Sequence, residues 1–589
     1  MFQLILPYLF IIAFGSGFVH ILTKKFDFSL SVPEFIIASL IVGIFGLIGP
    51  MVMLGSIFHE GLGIFITFYF IISVLLFIYF VLSKFQSLIS HLESFDQFIT
   101  QKITSEHVLW FLLIASIFLY SVYQLVQPLR GWDALNFYFP DAYVYFISDD
   151  FPIGNPLTFR PLYKEPCISL LYTFVLATTG APYFNLFAPL FFCILTLSTY
   201  ELGMLFFQDQ RKALLGSILS ALLPISQTVF YEYAYYQDPG VSAFIAAAFL
   251  FYSKGLKQGK LLYYLLATFS FSLAVLCKFN AWAFVLIFIL ITPTHQLGKL
   301  IRLGFLSLGC GFFLLQGMKN QSLGMILPIF LVYLFVFSLI IKQEPPKKSQ
   351  IIPPLLTIIG SFPLGILWFM RYANFLNDTP YSYYLSIAFF IKTQTGPTGI
   401  LLIDEFLYLC QINFGFSLFF GIGAALALVI PQILGIWRSS KSSQILVIWF
   451  LVYSGMVYIS YFGNLFYVLR YLGPIICPLA LTCADGLTYL YSRLSSQARP
   501  LSFDLVCIFL CYIFIPAGDG GTPQFIFQIQ LLSDLGIQFF NSSWSVLSIL
   551  IIFNLLFLLL IYVFFRFPHQ FNSRKFTSPL HNILALCLL

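Results

Sequence analysis

Charge is what this chain has least of. Of its 589 residues only 9% are Asp, Glu, Lys or Arg, against 60% hydrophobic and 19% aromatic, and the mean hydropathy is +0.94. A soluble domain usually carries about 25% charged residues. So little charge leaves no polar cover for a water-facing surface, which excludes a soluble globular protein, a disordered chain and a secreted disulfide scaffold. Histidine is also scarce, with seven residues, of which only His59 falls in an expected outer loop, so a His-based catalyst is not expected. There is no P-loop, no G-x-G-x-x-G in a strand–helix context and no H-E-x-x-H. Long polar stretches are missing too, which leaves no room for a soluble catalytic domain; any chemistry must use loops and helix ends at a membrane face. Most of the ten cysteines, such as Cys193, Cys310, Cys477 and Cys507, sit in apolar runs and read as small hydrophobes. No metal ligand set stands out.

What is present is a series of apolar runs long enough for lipid. They predict about 17 helices, near 2–22, 34–57, 63–83, 107–125, 184–207, 213–231, 239–254, 261–277, 279–293, 303–318, 322–341, 351–370, 411–436, 443–462, 470–490, 503–517 and 544–565. Met1 to Leu22 has neither a basic start nor a clear cleavage site and reads as a retained span. With the N-terminus outside and the C-terminus cytoplasmic, 21 of the 29 Lys and Arg residues fall on the inner side, as the positive-inside rule requires. The net charge of +6 therefore reflects inner loops, Lys254 and Lys257 among them, and not nucleic-acid binding. Pro166 to Gly180 is too short to span and reads as an interfacial segment, so that the first large outer loop runs over 127–183. Three N-x-S/T triplets, at Asn320, Asn377 and Asn541, fall in expected outer loops. The expected organisation is an accessory set of helices over 1–105, a central module over 106–490 and C-terminal helices over 491–589.

Because acidic residues are rare, their placement is informative. Five of the 23 lie in the first outer loop: Asp133, Asp141, Asp149, Asp150 and Glu165. Asp133 precedes an aromatic, helix-like run, where it either caps that helix or works as a base. Asp238 precedes Pro239 and is expected to be the N-cap of a span with proline in its first turn. By the charge argument both carboxylates face the same side, an arrangement suited to binding and deprotonating a hydroxyl. Glu201 is the carboxylate placed deepest in a span, either paired across helices or functional.

Eight cations stand on the outer side against the charge bias, among them Arg130, Arg160, Lys164, Lys278 and Arg470. Lys278 lies between two apolar helices with almost no loop. It either snorkels to the interface or binds a phosphate at the lipid–water boundary as a point charge. Arg470 has the same two readings.

In their order these features resemble the GT-C type integral-membrane glycosyltransferases, the group of the protein O-mannosyltransferases and the aminoarabinose transferase that modifies lipid A. The resemblance covers roughly residues 107 to 490 and rests on four stretches. They are Asp133 with its aromatic helix to Tyr145, Arg160-Pro161-Leu162-Tyr163-Lys164-Glu165-Pro166, Asp238-Pro239, and Lys278 followed far downstream by Arg470-Tyr471-Leu472-Gly473-Pro474. The fold so implied is an all-α polytopic bundle with short interfacial helices in an outer loop. The activity implied is transfer of a sugar from a polyprenyl- or dolichyl-phosphate donor to a hydroxyl of a protein, lipid or glycan acceptor at the periplasmic or lumenal face. Asp133 would be the general base, and Asp238 would orient acceptor or base. Lys278, Arg470 and Tyr471, with Arg160, Lys164 and Glu165, would bind the donor and its phosphate. No cofactor beyond the lipid-linked donor is implied. Asp133 is followed by Ala134 and not by a second acid, which turns the reading away from the metal-dependent, oligosaccharide-transferring branch.

Two other classes are weighed against this one. A glycan polymerase or O-antigen-ligase-like enzyme would use arginines, often with histidine, in a late outer loop; the late loops here hold Arg371 and Lys392 but no His. A transporter or lipid flippase would show repeated halves and polar residues at mid-depth, whereas here the ionisable residues are expected to concentrate at the outer face.

Overall fold

The computed structural model describes residues 2–57, 61–100, 105–126, 134–150, 154–155, 160–161, 165–180, 187–227, 229–230, 233–278, 281, 283–291, 357–361, 363–368, 430–439, 443–460, 469–494, 516–517 and 522–523. Over these residues the chain is an all-α bundle. Its only extended structure among them is two antiparallel ladders, Gly154–Asn155 (β1) with Arg160–Pro161 (β2) and Pro516–Ala517 (β3) with Thr522–Pro523 (β4).

Three helices open the chain: α1 (Phe2–Lys25), α2 (Val32–Ile57) and α3 (Leu62–Thr100). After α4 (Ser105–Val126) come a π-helical turn, Ala134–Tyr138, the short helices α5 (Phe139–Ser148) and α6 (Cys167–Thr179), and then α7 (Ala188–Phe207), α8 (Gln210–Leu222) and α9 (Pro224–Gln227). The central part continues with α10 (Asp238–Gln258), α11 (Leu261–Cys277) and α12 (Ala283–Ile291). Further on lie α13 (Ile430–Trp437), α14 (Gln444–Ser460), a 3-10 helix over Leu469–Ile475, and α15 (Ile476–Leu494). Seven helices among the described residues are long and apolar enough to cross a membrane. The chain is thus a multi-pass integral membrane protein. Of the seventeen expected spans, those near 303–318, 322–341 and 544–565 lie outside the described residues, as does 503–517 except for its last two residues, Pro516 and Ala517, which stand in β3 and not in a helix.

One expected span is corrected. The run 213–231 does not form a single helix: α8 stops at Leu222, and Leu223 takes an extended conformation, φ −56°, ψ 144°. Pro224 explains this, because the ring of a proline disfavours helical backbone at the residue before it. The segment Pro166 to Gly180 forms a helix too short to span. Its helix α6 has 13 residues, about 20 Å, short of the ~30 Å of a hydrocarbon core, and it is closed by Gly180 in the left-handed region at φ +64°.

The centre of the bundle is α10. Of its membrane window 94% is buried inside the protein, against 17% for α3 and for α4, which turn their Leu, Ile and Phe side chains outward. Small residues allow this: Gly240, Ser242, Ala243 and Ala246 to Ala248 let α7 and α11 approach closely. The first helices pack onto the same body, α2 against α7 and α11, and α1 against α6.

Successive antiparallel helices gather their termini at two ends, and a buried ionic cluster marks each. At one end Lys254, near the C-terminus of α10, bonds both Glu34 of α2 and Glu201 of α7, at 2.5 Å from Glu201 Oε2. Tyr263 of α11 donates to Glu34 Oε1 at 2.9 Å. Ser31 caps α2 with its hydroxyl, while Glu34 Oε2 accepts from the Ser31 N–H at 2.7 Å, a reciprocal capping box. The Ser31 hydroxyl also donates to Glu201 Oε1 at 2.7 Å, so all four carboxylate oxygens are engaged. Two expectations change here. Lys254 belongs to no loop; it is a buried residue inside α10. Nor do the ionisable residues concentrate at one face only. Asp238, sixteen residues earlier and about 24 Å away along the helix, marks the other end.

Candidate active site around Asp238 and Lys278

The hairpin of α10 and α11 forms the base of the site. The two helices are joined by Gly259, whose φ of +69° is open to glycine without strain, and Lys260. So tight a link returns the end of α11 to the start of α10. That brings Lys278 to Asp238 across forty residues, with Nζ 2.5 Å from Oδ1. Both side chains are withdrawn from solvent, 14% exposed for Lys278 and 3% for Asp238.

The expected capping role of Asp238 is corrected by this geometry. The N-cap of α10 is Gln237, at φ −76°, ψ −21° and without a side-chain cap bond; Asp238 is the first helical residue and Pro239 follows it in the first turn. A carboxylate in this turn is favoured by the helix dipole without capping, which leaves its oxygen for Lys278. Its backbone carbonyl accepts from Ser242 Oγ at 2.7 Å. Lys278 likewise does not reach out as a lone cation. It ends α11 in extended backbone, φ −162°, ψ 133°, and its ammonium is paired.

A third element covers the pair. The 3-10 helix Leu469–Ile475 packs against α10, and it comes so close that a Cβ on Gly473 would sit 2.1 Å from Ser242 Oγ. Only glycine permits this approach. The result is that the Tyr471 ring centroid lies 3.6 Å from Lys278 Nζ, a cation–π contact. Tyr453 of α14 holds the Tyr471 carbonyl with a hydrogen bond of 2.9 Å.

The first large loop supplies the fourth side. The Gln237 amide donates to the Glu165 carbonyl at 3.2 Å and to its Oε2 at 3.3 Å, joining the segment before α6 to the start of α10. Tyr172 donates to the Tyr235 carbonyl at 2.8 Å. Burial, with Tyr235 and Tyr236 adding to it, holds the Tyr172 hydroxyl well above its ordinary range, so it stays a donor. The turn that begins at Ala134 places the Tyr138 ring edge-on to Tyr236 at 6.3 Å. Tyr120 and Gln124 of α4 both donate to the Phe230 carbonyl, fixing the chain between α9 and α10.

Of the residues expected to carry function, Asp238, Lys278 and Tyr471 are brought into one cluster, and Glu165 joins it through Gln237. Arg160 is described as a backbone position in β2, paired with Asn155, and Arg470 as a backbone position in the 3-10 helix. Asp133 and Lys164 lie outside the described residues. Sequence reasoning does not single out Gln237 and Tyr172; their signal, a polar residue just before the Asp-Pro helix start and a tyrosine within an interfacial helix, is weak in sequence. Among the described residues no three of His, Cys, Asp and Glu converge to hold a metal ion.

No known protein-family pattern matches the chain, and no curated protein matches it by sequence. Among solved structures it is similar to ArnT from Cupriavidus metallidurans bound to undecaprenyl phosphate, at 12% identity and a TM-score of 0.40, over 72% of each chain. It is also similar to the archaeal oligosaccharyltransferase AglB from Archaeoglobus fulgidus in complex with an inhibitory peptide and a dolichol-phosphate. There the identity is 13% and the TM-score 0.38, over 74% of this chain and 60% of that one. A further likeness is to the Archaeoglobus fulgidus oligosaccharyltransferase tethered to an acceptor peptide, at 14% identity and a TM-score of 0.37, over 70% of this chain and 55% of the other.

Proposed function

We propose that the protein is a membrane glycosyltransferase that moves a sugar from a polyprenyl- or dolichyl-phosphate donor to an acceptor hydroxyl on the non-cytoplasmic face. One observation carries the proposal. A buried ammonium, Lys278, is held by Asp238 beneath the Tyr471 ring, at the end of the bundle where the turn following Asp133 packs against Tyr236. Positive charge fixed in a site of low polarity stabilises negative charge that develops during reaction. A lipid phosphate leaving an anomeric carbon develops such charge.

In this reading Asp133 takes the proton of the acceptor hydroxyl as its oxygen attacks the anomeric carbon. The bond to the phosphate oxygen breaks on the opposite face, with inversion. Lys278 and Arg470, with Arg160 or Lys164, receive the departing phosphate. Asp238 sets the position of the Lys278 ammonium, and Gln237 fixes Glu165 at the mouth. Residues 106–490 form the module that does this, and 1–105 and 491–589 flank it in the membrane. The N-terminus is placed outside and the C-terminus in the cytoplasm. The transporter reading draws on the second cluster, but Lys254, Glu34 and Glu201 lie at the other end and not at mid-depth. The carboxylate oxygens of Glu34 and Glu201 are all engaged, by Lys254, Ser31 and Tyr263, which suits a structural clasp.

The test uses purified protein and labelled polyprenyl-phosphate sugars, following consumption of the lipid donor and capture of the sugar. Asp133→Asn is expected to abolish transfer while leaving thermal unfolding unchanged. Transfer at near the wild-type rate removes Asp133 as the base; absence of donor consumption by the wild type with every lipid sugar tried removes the activity itself.

A further inference from the structure

The end of the bundle marked by Lys254 carries an arginine that its surroundings leave unspent. α7 turns into α8 there, and the first turn of α8 meets the C-terminal half of α15. Lys212 pairs with Asp485 at 2.7 Å, and the Arg211 guanidinium carbon lies 5.1 Å from the Tyr491 ring centroid. α13 packs on another side of α15. Glycines let the two backbones touch: a Cβ on Gly435 would strike the Thr482 carbonyl, and one on Gly486 the Pro431 carbonyl. Thr482 also donates to Gln432 Oε1 at 2.9 Å. Arg438 stands three residues after Gly435, and Tyr489 three after Gly486. Seated in this way, α13 delivers the Arg438 guanidinium over the Tyr489 ring, 3.9 Å from its centroid.

That ring is its partner, and among the described residues no acceptor bonds the guanidinium. The nearby acids are taken, Asp485 by Lys212 and Asp209 by the Lys212 N–H, which it caps at 3.1 Å. Arg438 is exposed, and so are two apolar residues one turn apart on α13, Ile433 at 55% and Trp437 at 83%. A guanidinium presents its N–H groups as a planar fork that takes two phosphate oxygens at once. The tyrosine supports the fork without using its donors. A soluble anion would occupy the fork but make no use of Ile433 and Trp437. A tryptophan at the end of an apolar helix belongs where headgroups meet hydrocarbon.

We propose that this corner binds an anionic glycerophospholipid, with Arg438 on the phosphate oxygens and the acyl chains along Ile433 and Trp437. Arg211, on the α8 side of α15, adds positive charge to the same end, which favours lipids of net negative charge over zwitterionic ones. The corner lies at the opposite end of the bundle from Lys278 and takes no part in the proposed transfer, so its test needs neither donor nor acceptor.

The full chain, purified in detergent and freed of lipid, is titrated with dioleoylphosphatidylglycerol or dioleoylphosphatidylcholine, and bound lipid is counted by native mass spectrometry. The wild type is expected to hold one phosphatidylglycerol at least about tenfold more tightly than phosphatidylcholine; equal affinities overturn the recognition of charge. Arg438→Gln is expected to remove that preference and leave thermal unfolding unchanged, whereas a preference that persists overturns the site. Arg438→Lys keeps the charge without the fork and is expected to recover only part of the preference; full recovery overturns the role of the fork. Trp437→Ala is expected to weaken both lipids alike, and unaltered binding overturns the path given to the chains. Glycerol 1-phosphate in excess is expected to leave bound phosphatidylglycerol in place. Its displacement would assign the corner to a soluble phosphate and overturn the lipid. A polyprenyl phosphate that outcompetes phosphatidylglycerol overturns it too, in favour of the donor lipid.

Discussion

Replacing Lys254 by Met is expected to be among the most costly single changes in the described part of the chain. Its ammonium lies between two carboxylates that are 3% and 5% exposed, Glu34 and Glu201. Removing it strands both acids in the protein interior. Breaking a buried pair by deleting one partner costs about 3–5 kcal/mol, a large fraction of the ~5–15 kcal/mol that holds a typical protein folded. Glu201→Gln is a different perturbation. It turns a two-to-one cluster into a one-to-one pair, and its single amide oxygen accepts from either Lys254 or the Ser31 hydroxyl but not both, so its cost is about 1–3 kcal/mol, that of one lost hydrogen bond. The variant Lys254→Met with Glu34→Gln and Glu201→Gln leaves no uncompensated charge and is expected to recover most of the Lys254→Met loss. Thermal unfolding in detergent, followed by circular dichroism, ranks the three: Lys254→Met lowest by several degrees, the triple variant between it and the wild type, Glu201→Gln nearest the wild type. If Glu201→Gln is as damaging as Lys254→Met, the cluster is held by shape and not by charge balance, and the reasoning fails.

Three further outcomes follow from the site and its supports. Lys278→Ala alone would strand Asp238, so the informative change is Lys278→Gln with Asp238→Asn, neutral and still hydrogen-bonded. It is expected to fold and to bind lipid-phosphate donor at least about tenfold more weakly, about 1.4 kcal/mol; an unchanged donor Kd removes Lys278 from phosphate recognition. Gly473→Ala pushes a methyl to 2.1 Å from Ser242 Oγ and is expected to cost about 1–3 kcal/mol as overpacking. Adding Ser242→Ala should return part of it, and a double variant no better than the single one refutes the contact. Asp149, in the first loop, accepts from the Gly63 N–H at 2.7 Å and so caps α3 from outside its own chain segment. Asp149→Ala should lower stability by about 1 kcal/mol, and a neutral result by the same unfolding measurement shows the cap contributes nothing.

The parts of this molecule that are legible in sequence are those set by local physics. The helix expected over 261–277 is found at Leu261–Cys277 because two lysines bracket its apolar run. The short segment after Pro166 is a helix too brief to span, as its length requires. What stays hidden depends on partners far away in the chain. Asp238 before Pro239 looks like a cap, and only the α10–α11 hairpin reveals that its carboxylate meets Lys278 instead. Even so, a link as short as Gly259-Lys260 between two long helices implies that their far ends come together, so the pairing was open to inference. Ser31-Val32-Pro33-Glu34 carries a capping-box pattern that local reading can recognise, and it leads to the second cluster. Glu201 stands out as a deep carboxylate, but its partner Lys254 is masked in sequence by the basic residues after it, which make it look like one more loop charge. Gly473 has no signature at all; its necessity lies in Ser242, on another helix.

Because α10 carries an anchor near each terminus, its internal register is fixed as well as its ends. Each residue along a helix advances about 100° and 1.5 Å. Inserting or deleting one residue between Asp238 and Lys254 would therefore swing one anchor about a quarter-turn away from its partners while the other stayed in place. Substitutions within that stretch face only the ordinary demands of packing, but a change of length has no good solution. The segment between the anchors behaves like a gauge block, and its residue count is as much a part of the design as the identity of any side chain in it.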